Sequence, residues 1–178
     1  MSTIEQTTTQ IPAGTYVSDP AHSTVEFAAR HMGISTVRGR FTKFEATLEG
    51  GPEPRLRGSI DMTSATTFDE TRDVHLVSPE FFDAERYPQT TLEGRLQDGK
   101  FVGEVTLKGV TKPIEFRATV TGPNTDPWGN ERVGVDLEGE LNRHDFGVSW
   151  NAPLPGGEFM LGDNVQLMAS LSFVKQQG

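Results

Sequence analysis

Hydrophobic and polar residues alternate one by one along most of the chain. In one clear stretch, Leu56, Gly58, Ile60 and Met62 alternate with charged and hydroxyl-bearing residues. Similar alternation recurs at 25–29, 37–48, 91–96, 101–107, 114–120, 133–141 and 165–173. A period of two is typical of a β-strand that buries one face and exposes the other. The pattern therefore predicts an all-β protein of about eight antiparallel strands.

Two local features indicate how these strands are joined. Asp98-Gly99 separates two alternating stretches, and this dipeptide favours a type I′ hairpin turn. Between Phe41 and Phe44 the apolar phase slips by one residue, which indicates a bulge where a strand bends. Eight such strands form either a sandwich or a closed barrel, and bent strands are what a closing barrel requires.

The stretch 67–88 interrupts the alternation and predicts two short helices between strands. The first covers 69–77, where acidic residues precede an apolar side. The second begins at Ser78-Pro79, an N-cap followed by proline at the first helical position, and carries Phe81 and Phe82.

Small residues on the apolar faces suggest a hollow interior. Gly39, Gly58, Gly94, Gly103 and Gly139 all occupy inward positions, where a solid core needs larger side chains. Alternatively, inward glycines let strands coil at barrel corners. The hollow interpretation predicts a long, narrow, apolar cavity suited to a chain-like lipid. Its predicted lining is Val25, Phe27, Phe41, Phe44, Ile60, Phe101, Phe116, Val135, Leu167 and Leu171.

One end of the barrel is expected to hold the polar head of the lipid. His31 shares the apolar phase of its strand, and Arg38 and Arg40 follow the next turn. Phe81 and Phe82 would form a lid over this opening. In the alternative, the helices plug the barrel and the arginines pair with Asp73 or Asp83.

Composition agrees with a β-rich domain and argues against nucleic-acid binding and cysteine chemistry. Of 178 residues, 34% are hydrophobic, with 19 glycines and 11 prolines, which argues against a helix bundle. The formal net charge of −9 disfavours binding to nucleic acid. Cysteine is absent, which excludes disulfides, thiol catalysis and cysteine-based zinc sites.

The chain ends predict a single domain with a short tail. Residues 1–13 are polar and threonine-rich, which indicates a disordered tail before a barrel domain at 14–175. The start lacks the basic and apolar parts of a secretory signal, and no apolar run approaches the length of a membrane span. We therefore expect a cytoplasmic protein without stable membrane insertion.

Catalytic chemistry finds no support in the sequence. The four histidines, His22, His31, His75 and His144, are not paired at metal-binding spacings, and no phosphate-binding loop or nucleophile elbow is present. The expectation is a binding protein with no catalytic residues, metal or cofactor.

Several longer motifs resemble those of the YceI-like family and occur in the same order. They are DPAHSTVEF at 19–27, RHMGISTVRGRF at 30–41, RDVHL at 72–76, SPEFFD at 78–83, LKGVTKP at 107–113, NRHDFG at 142–147 and WNAPL at 150–154. The resemblance implies an extended, lipocalin-like antiparallel barrel that binds polyisoprenoids, isoprenoid quinones or similar lipids, often as a homodimer.

The sequence thus favours storage or transport of a long apolar lipid inside the barrel. One alternative is an enzyme that holds an isoprenoid-type substrate in the barrel, with His31, Asp73 or His75 near the mouth. Another is a stress-response barrel whose cavity is incidental.

Overall fold

The computed structural model describes residues 10–177 and is dominated by antiparallel strands. The strands are β1 (Thr15–Ser18), β2 (Thr24–His31), β3 (Ser35–Phe41), β4 (Phe44–Glu49), β5 (Arg55–Asp61), β6 (Ala65–Thr66), β7 (Gln89–Gln97), β8 (Lys100–Leu107), β9 (Val110–Thr125), β10 (Glu131–Asn142) and β11 (Leu161–Lys175). One α-helix, α1 (Glu70–Leu76), and three single 3-10 turns at Pro20–His22, Met62–Ser64 and Arg143–Phe146 complete the described elements.

Eight strands close into a barrel in the order β1-β4-β5-β7-β8-β9-β10-β11, because β11 also pairs with β1. The predicted all-β barrel is confirmed. β1 is so short that its two apolar residues show no alternation, and the sequence did not predict this closing strand. It pairs with both β4 and the last residues of β11, as in the pairs Tyr16–Leu48 and Tyr16–Lys175.

The long strand β11 pairs with different strands along its length. Its last residues pair with β1, whereas its first part, including Leu167 opposite Phe27, pairs with β2. β3 and the two-residue β6 extend this wall beyond β2. The barrel therefore has a closed end near β1 and an open end where β2, β10 and β11 meet the loops at His31, Asn142 and Leu161.

The closed end contains a solid hydrophobic core. Its largest fully buried side chains are Tyr16, Leu48, Leu56, Phe101, Val133, Val135 and Phe173. The Tyr16 hydroxyl donates to Glu131 Oε2 at 2.7 Å. Burial and this acidic neighbour raise the pKa of Tyr16 to about 12.

Hairpin turns follow the chemistry that the sequence predicts. Asp98 and Gly99 have φ of 52° and 74°, the pair of positive values that a type I′ turn requires. Lys108-Gly109 and Met32-Gly33 adopt the same pattern. The chain between Phe41 and Phe44 is broken into two strands instead of bulged, because the N–H groups of Thr42 and Lys43 donate to Ser64.

The first expected helix is present and the second is not. Asp69 caps α1 by accepting from the Arg72 N–H. After Ser78-Pro79 the chain makes a series of turns instead of a helix. The Phe82 and Ala84 N–H groups donate back to Leu76 and Val77, so the donors that would continue a helix are used to fold this segment onto α1.

The expected tail at 1–13 falls mainly on residues 1–9, which lie outside the described residues. Ile11 is buried, and its carbonyl accepts from the Gly51 N–H at 2.9 Å. The ordered domain therefore begins at least as early as Ile11, before the expected boundary at residue 14.

Candidate functional site: an apolar cavity at the open end

A cavity of about 780 Å³ occupies the open half of the barrel. Most of its lining side chains are aliphatic or aromatic, and they come from β2, β3, β5, β7 to β11 and the segments at 67–82 and 143–161. Three lining residues, Asp69, Thr71 and Arg72, are also exposed to solvent. The mouth therefore lies beside α1.

The structure brings together nine of the residues that the sequence assigned to ligand binding. These are Val25, Phe27, His31, Phe41, Ile60, Phe81, Phe82, Phe116 and Leu167. On the strands they share one phase, so the period-two pattern identified the inward face correctly.

Four other predicted lining residues do not reach the cavity. Phe101, Val135 and Leu171 are buried in the core, and Phe44 packs against that core half-buried. They also point inward, but at or towards the closed end, where facing side chains meet and fill the barrel. Strand phase indicates the face of a residue and not its position along the barrel axis.

Four of the five inward glycines are closely packed instead of leaving a hollow, and Gly58, where a Cβ would meet nothing closer than 3.6 Å, does not line the cavity. The Phe27 ring lies over Gly39, and the Phe116 ring lies over Gly139 so closely that a Cβ there would overlap it. At the closed end a Cβ on Gly94 would come within 2.7 Å of the Gly103 Cα on the paired strand. These glycines admit aromatic rings or close strand contact, which agrees with the alternative of strand coiling.

Arg38 and Arg40 do not line the cavity. They alternate with Val37, Gly39 and Phe41, and therefore point outward from β3. Both border a separate outer groove, in which the Arg40 guanidinium carbon lies 5.0 Å from the centre of the Phe68 ring. The alternative, in which these arginines pair with Asp73 or Asp83, is not found among the ion pairs of the described residues.

Polar groups at the mouth are organised around Thr67. Arg72 Nε donates to the Thr67 hydroxyl at 2.6 Å, and Arg72 Nη2 donates to the Thr67 carbonyl at 2.8 Å. Thr67 in turn donates to Asp73 through its N–H and its hydroxyl, both at 2.7 Å. Burial opposes ionisation of Asp73, but these bonds and one from Thr66 outweigh it and lower the pKa of this carboxyl. His31 also lines the cavity, at the end of β2.

Two segments cover the open end and contact each other through aromatic rings. The His75 ring packs edge-on against Phe81 and Trp150, with ring centres 4.8 Å away in each case, while Phe81 and Trp150 lie 5.3 Å apart. Lys108 Nζ also donates to the carbonyls of Pro79 and Gly147, one in each segment. The turn at 78–82 and the segment at 143–161 therefore form one cover.

Arg143 holds the second covering segment in place. Its guanidinium donates to the carbonyls of Val148, Trp150 and Gly162 at 2.8 Å each, and to that of Leu161 at 3.4 Å. Burial lowers the pKa of Arg143. An arginine that satisfies several carbonyls at once gives this irregular segment a fixed path beside the cavity.

His75 and His144 are engaged in local contacts. His75 pairs with Glu80, and His144 contacts Ser149 Oγ at 3.1 Å and Asp163 Oδ1 at 2.7 Å. This Ser149-His144-Asp163 arrangement is exposed and lies outside the cavity lining, so it faces water instead of an apolar ligand. Across residues 10–177 no group of three or more metal-ligating side chains is found.

Several lining residues were missed by the sequence reasoning. Ala29, Val105, Leu137 and Val165 lie on the same strand phases as the residues that were chosen, so the signal was available. Phe146, Val148, Trp150 and Met160 also line the cavity but belong to an irregular segment, where no periodicity marks an inward face.

None of the helices between residues 10 and 177 has the length and apolar character needed to cross a membrane.

Comparison with known proteins finds the same domain throughout the chain. The profile of the YceI-like domain matches residues 16–173. A UPF0312 protein of Staphylococcus aureus (strain N315) is 33% identical over 164 residues, covering 89% of this chain and 96% of that protein.

Solved structures share the fold at lower identity. BcnA of Burkholderia cenocepacia superimposes with a TM-score of 0.72 at 22% identity, covering 87% of this chain and 98% of BcnA. A YCEI protein of Campylobacter jejuni gives 0.68 at 24% identity over 99% of both chains. A polyisoprenoid binding domain from Saccharophagus degradans gives 0.69 at 15% identity, covering 93% of this chain and all of that one (100%).

Proposed function

This chain belongs to the family of YceI-like domains, and on that premise we propose that it binds a long isoprenoid lipid in its barrel for storage or transport. The observation that carries the proposal is the 780 Å³ cavity, which is lined mainly by apolar side chains and opens at one end. Such a cavity favours a flexible hydrocarbon chain, because each buried methylene contributes about 0.8 kcal/mol without needing a hydrogen bond.

The related S. degradans domain supports the choice of lipid class, since it is described as a polyisoprenoid binding domain. Aromatic and branched aliphatic side chains line the cavity, and both suit the methyl-branched surface of a prenyl chain. Binding without turnover is part of the proposal: the Ser149-His144-Asp163 group is exposed and does not line the cavity, and Asp73 accepts hydrogen bonds from Thr66 and Thr67.

We assign the polar head of the lipid to the mouth, beside Arg72. Two nitrogens of Arg72 are fixed by Thr67, which leaves the guanidinium oriented at the edge of the cavity. A diphosphate head would accept charge-assisted hydrogen bonds from this group, whereas a quinone or an alcohol would need none of its charge.

Titration of delipidated protein with farnesol, geranylgeraniol and longer prenyl alcohols tests the chain-binding part. Affinity is expected to rise with each added isoprene unit until the cavity is full, and then to level off. An affinity that does not depend on chain length would contradict burial of the chain.

Arg72→Gln tests the head-group assignment. The affinity for a prenyl diphosphate is expected to fall by about ten- to a hundredfold, the range for loss of a charge-assisted hydrogen bond. The affinity for the matching alcohol is expected to stay unchanged. Arg72→Lys keeps the charge and serves as the control for folding. Equal affinities for the diphosphate in Arg72→Gln and in the unaltered protein would exclude a role for Arg72.

A further inference from the structure

Four large apolar side chains face water at positions next to residues that line the cavity. Met32, Ile34, Phe68 and Phe159 are 39%, 77%, 71% and 63% exposed, and we refer to these four residues as the rim. Each rim residue lies next to the lining in sequence or through a hydrogen bond. Met32 follows His31, Phe159 precedes Met160, and Phe68 lies between Thr67 and Asp69. The Ile34 N–H donates to the carbonyl of His31 at 3.2 Å.

Two parts of the rim are held together on a rigid hairpin. Met32 N–H donates to the Met160 carbonyl, which joins the β2–β3 turn to the loop that carries Phe159. Arg30 fixes the same turn by donating to the Gly33 carbonyl at 2.8 Å and to the Thr36 hydroxyl at 3.2 Å. Met32 has a φ of 55°, a conformation in which asparagine or aspartate is usual, so an apolar side chain is held in strained backbone and presented to solvent.

The β2–β3 hairpin carries a net positive charge, unlike the chain as a whole. From Thr24 to Phe41, β2 and β3 carry Arg30, Arg38 and Arg40 against a single acidic residue, Glu26, although the net charge of the protein is −9. None of these arginines takes part in an ion pair among the described residues. Arg40 stacks on Phe68, so the basic hairpin contacts one residue of the rim.

We propose that the rim and the arginines of the β2–β3 hairpin dock this protein on an anionic phospholipid bilayer, with the cavity mouth facing the lipid. The proposal rests on the proposed function, because an apolar ligand would then pass between bilayer and cavity without crossing water. Apolar side chains that enter the interface, combined with nearby basic residues that attract anionic head groups, are the features that bind proteins to membrane surfaces.

The test is co-flotation with vesicles of phosphatidylcholine, with and without phosphatidylglycerol. The combined variant Met32→Ser, Ile34→Ser, Phe159→Ser is expected to lower partitioning to both vesicles by about a hundredfold or more, since three apolar side chains lose their burial. Trp128→Ser is the matched control: Trp128 is 79% exposed but lies in the β9–β10 loop at the closed end, and its loss is expected to have no effect.

The charge component has its own variant and control. Arg38→Gln with Arg40→Gln is expected to weaken binding to the anionic vesicles about thirtyfold, the effect of two basic residues near such a surface, with no change on phosphatidylcholine alone. Arg57→Gln with Arg95→Gln removes two exposed arginines from β5 and β7 and is expected to retain binding to the anionic vesicles.

The proposal would be overturned if the unaltered protein did not float with anionic vesicles. It would also be overturned if the rim variant and its Trp128→Ser control partitioned equally to the vesicles. If the rim instead joined two copies of this chain, light scattering would show a dimer that the rim variant dissociates, without vesicle binding, and the proposal would be wrong. Loading with geranylgeraniol in free solution separates failure of membrane docking from failure of the proposed function. The rim variant is expected to bind geranylgeraniol normally, because no rim residue lines the cavity.

Discussion

Ala169 offers the sharpest way to reduce the cavity without disturbing its walls. This small residue lies on β11 and lines the cavity between Val25 and Leu137, its paired neighbours on β2 and β10, which line it as well. A phenylalanine here would place a ring in the space that the ligand is proposed to occupy. The ring would exclude an equal volume of the lipid chain from the cavity. That part of the chain would remain in water, because the lipid could not enter the cavity as far.

The expected loss of affinity follows from the displaced hydrocarbon. A phenyl ring takes the place of about four methylene-sized groups, and at about 0.8 kcal/mol each the binding free energy falls by about 3 kcal/mol. This corresponds to a dissociation constant raised about a hundred- to two-hundredfold. The residue is only half-buried and borders open space, so the free protein is expected to unfold at nearly the same temperature as before.

The assay is titration of delipidated protein with geranylgeraniol, followed by native mass spectrometry. Ser170→Phe is the matched control, because it places the same ring on the next residue of β11, which is exposed on the outer face. Affinity in this control is expected to remain unchanged. Equal binding by the Ala169→Phe variant and the control would refute the placement of the ligand, provided that both variants are folded.

Three further predictions concern the framework around the cavity. Gly139→Ala is expected to destabilise the fold by about 1–3 kcal/mol in urea unfolding, because its Cβ would overlap the Phe116 ring; an unchanged midpoint would show that the ring can move. Arg143→Leu leaves several carbonyls without a donor, so we expect the free energy of unfolding to fall by about 3 kcal/mol or more. Arg143→Lys is not expected to restore it, because one ammonium cannot reach all of these carbonyls. Full stability in either variant would contradict this role. The hydrogen bond from Arg132 lowers the pKa of Asp126 from 3.8 to about 2, so this carboxylate stabilises the fold above about pH 4 and the contribution is lost as the pH falls towards 2. In Arg132→Gln that part of the acid dependence is expected to vanish, and an unaltered acid unfolding curve would contradict the assignment.

The fold was largely predictable because period-two alternation directly reflects a sheet with one buried face. The same pattern also contained the outward direction of Arg38 and Arg40, which alternate with Val37 and Gly39; the error was to place them by their closeness to His31 in sequence. β1 could not be found in this way, since a strand of four residues is too short to show a period.

The cavity was predictable only in part, because its extent depends on contacts between distant strands. Phe101 and Phe116 occupy equivalent inward positions on paired strands, yet only Phe116 reaches the cavity. Trp150 forms part of the cover through His75 and Phe81, a contact that joins residues far apart in sequence and leaves no periodic signal.

The central claim is that the cavity holds an isoprenoid chain, and competitive loading tests it most directly. Delipidated protein is incubated with a mixture of prenyl alcohols, isoprenoid quinones, fatty acids and phospholipids, then repurified, extracted with organic solvent and examined by mass spectrometry. We expect an unmodified isoprenoid to be recovered at about one molecule per binding-competent barrel, and to be lost in Ala169→Phe. Recovery of no lipid, of fatty acids or phospholipids in place of isoprenoids, or of a chemically altered isoprenoid would contradict this account.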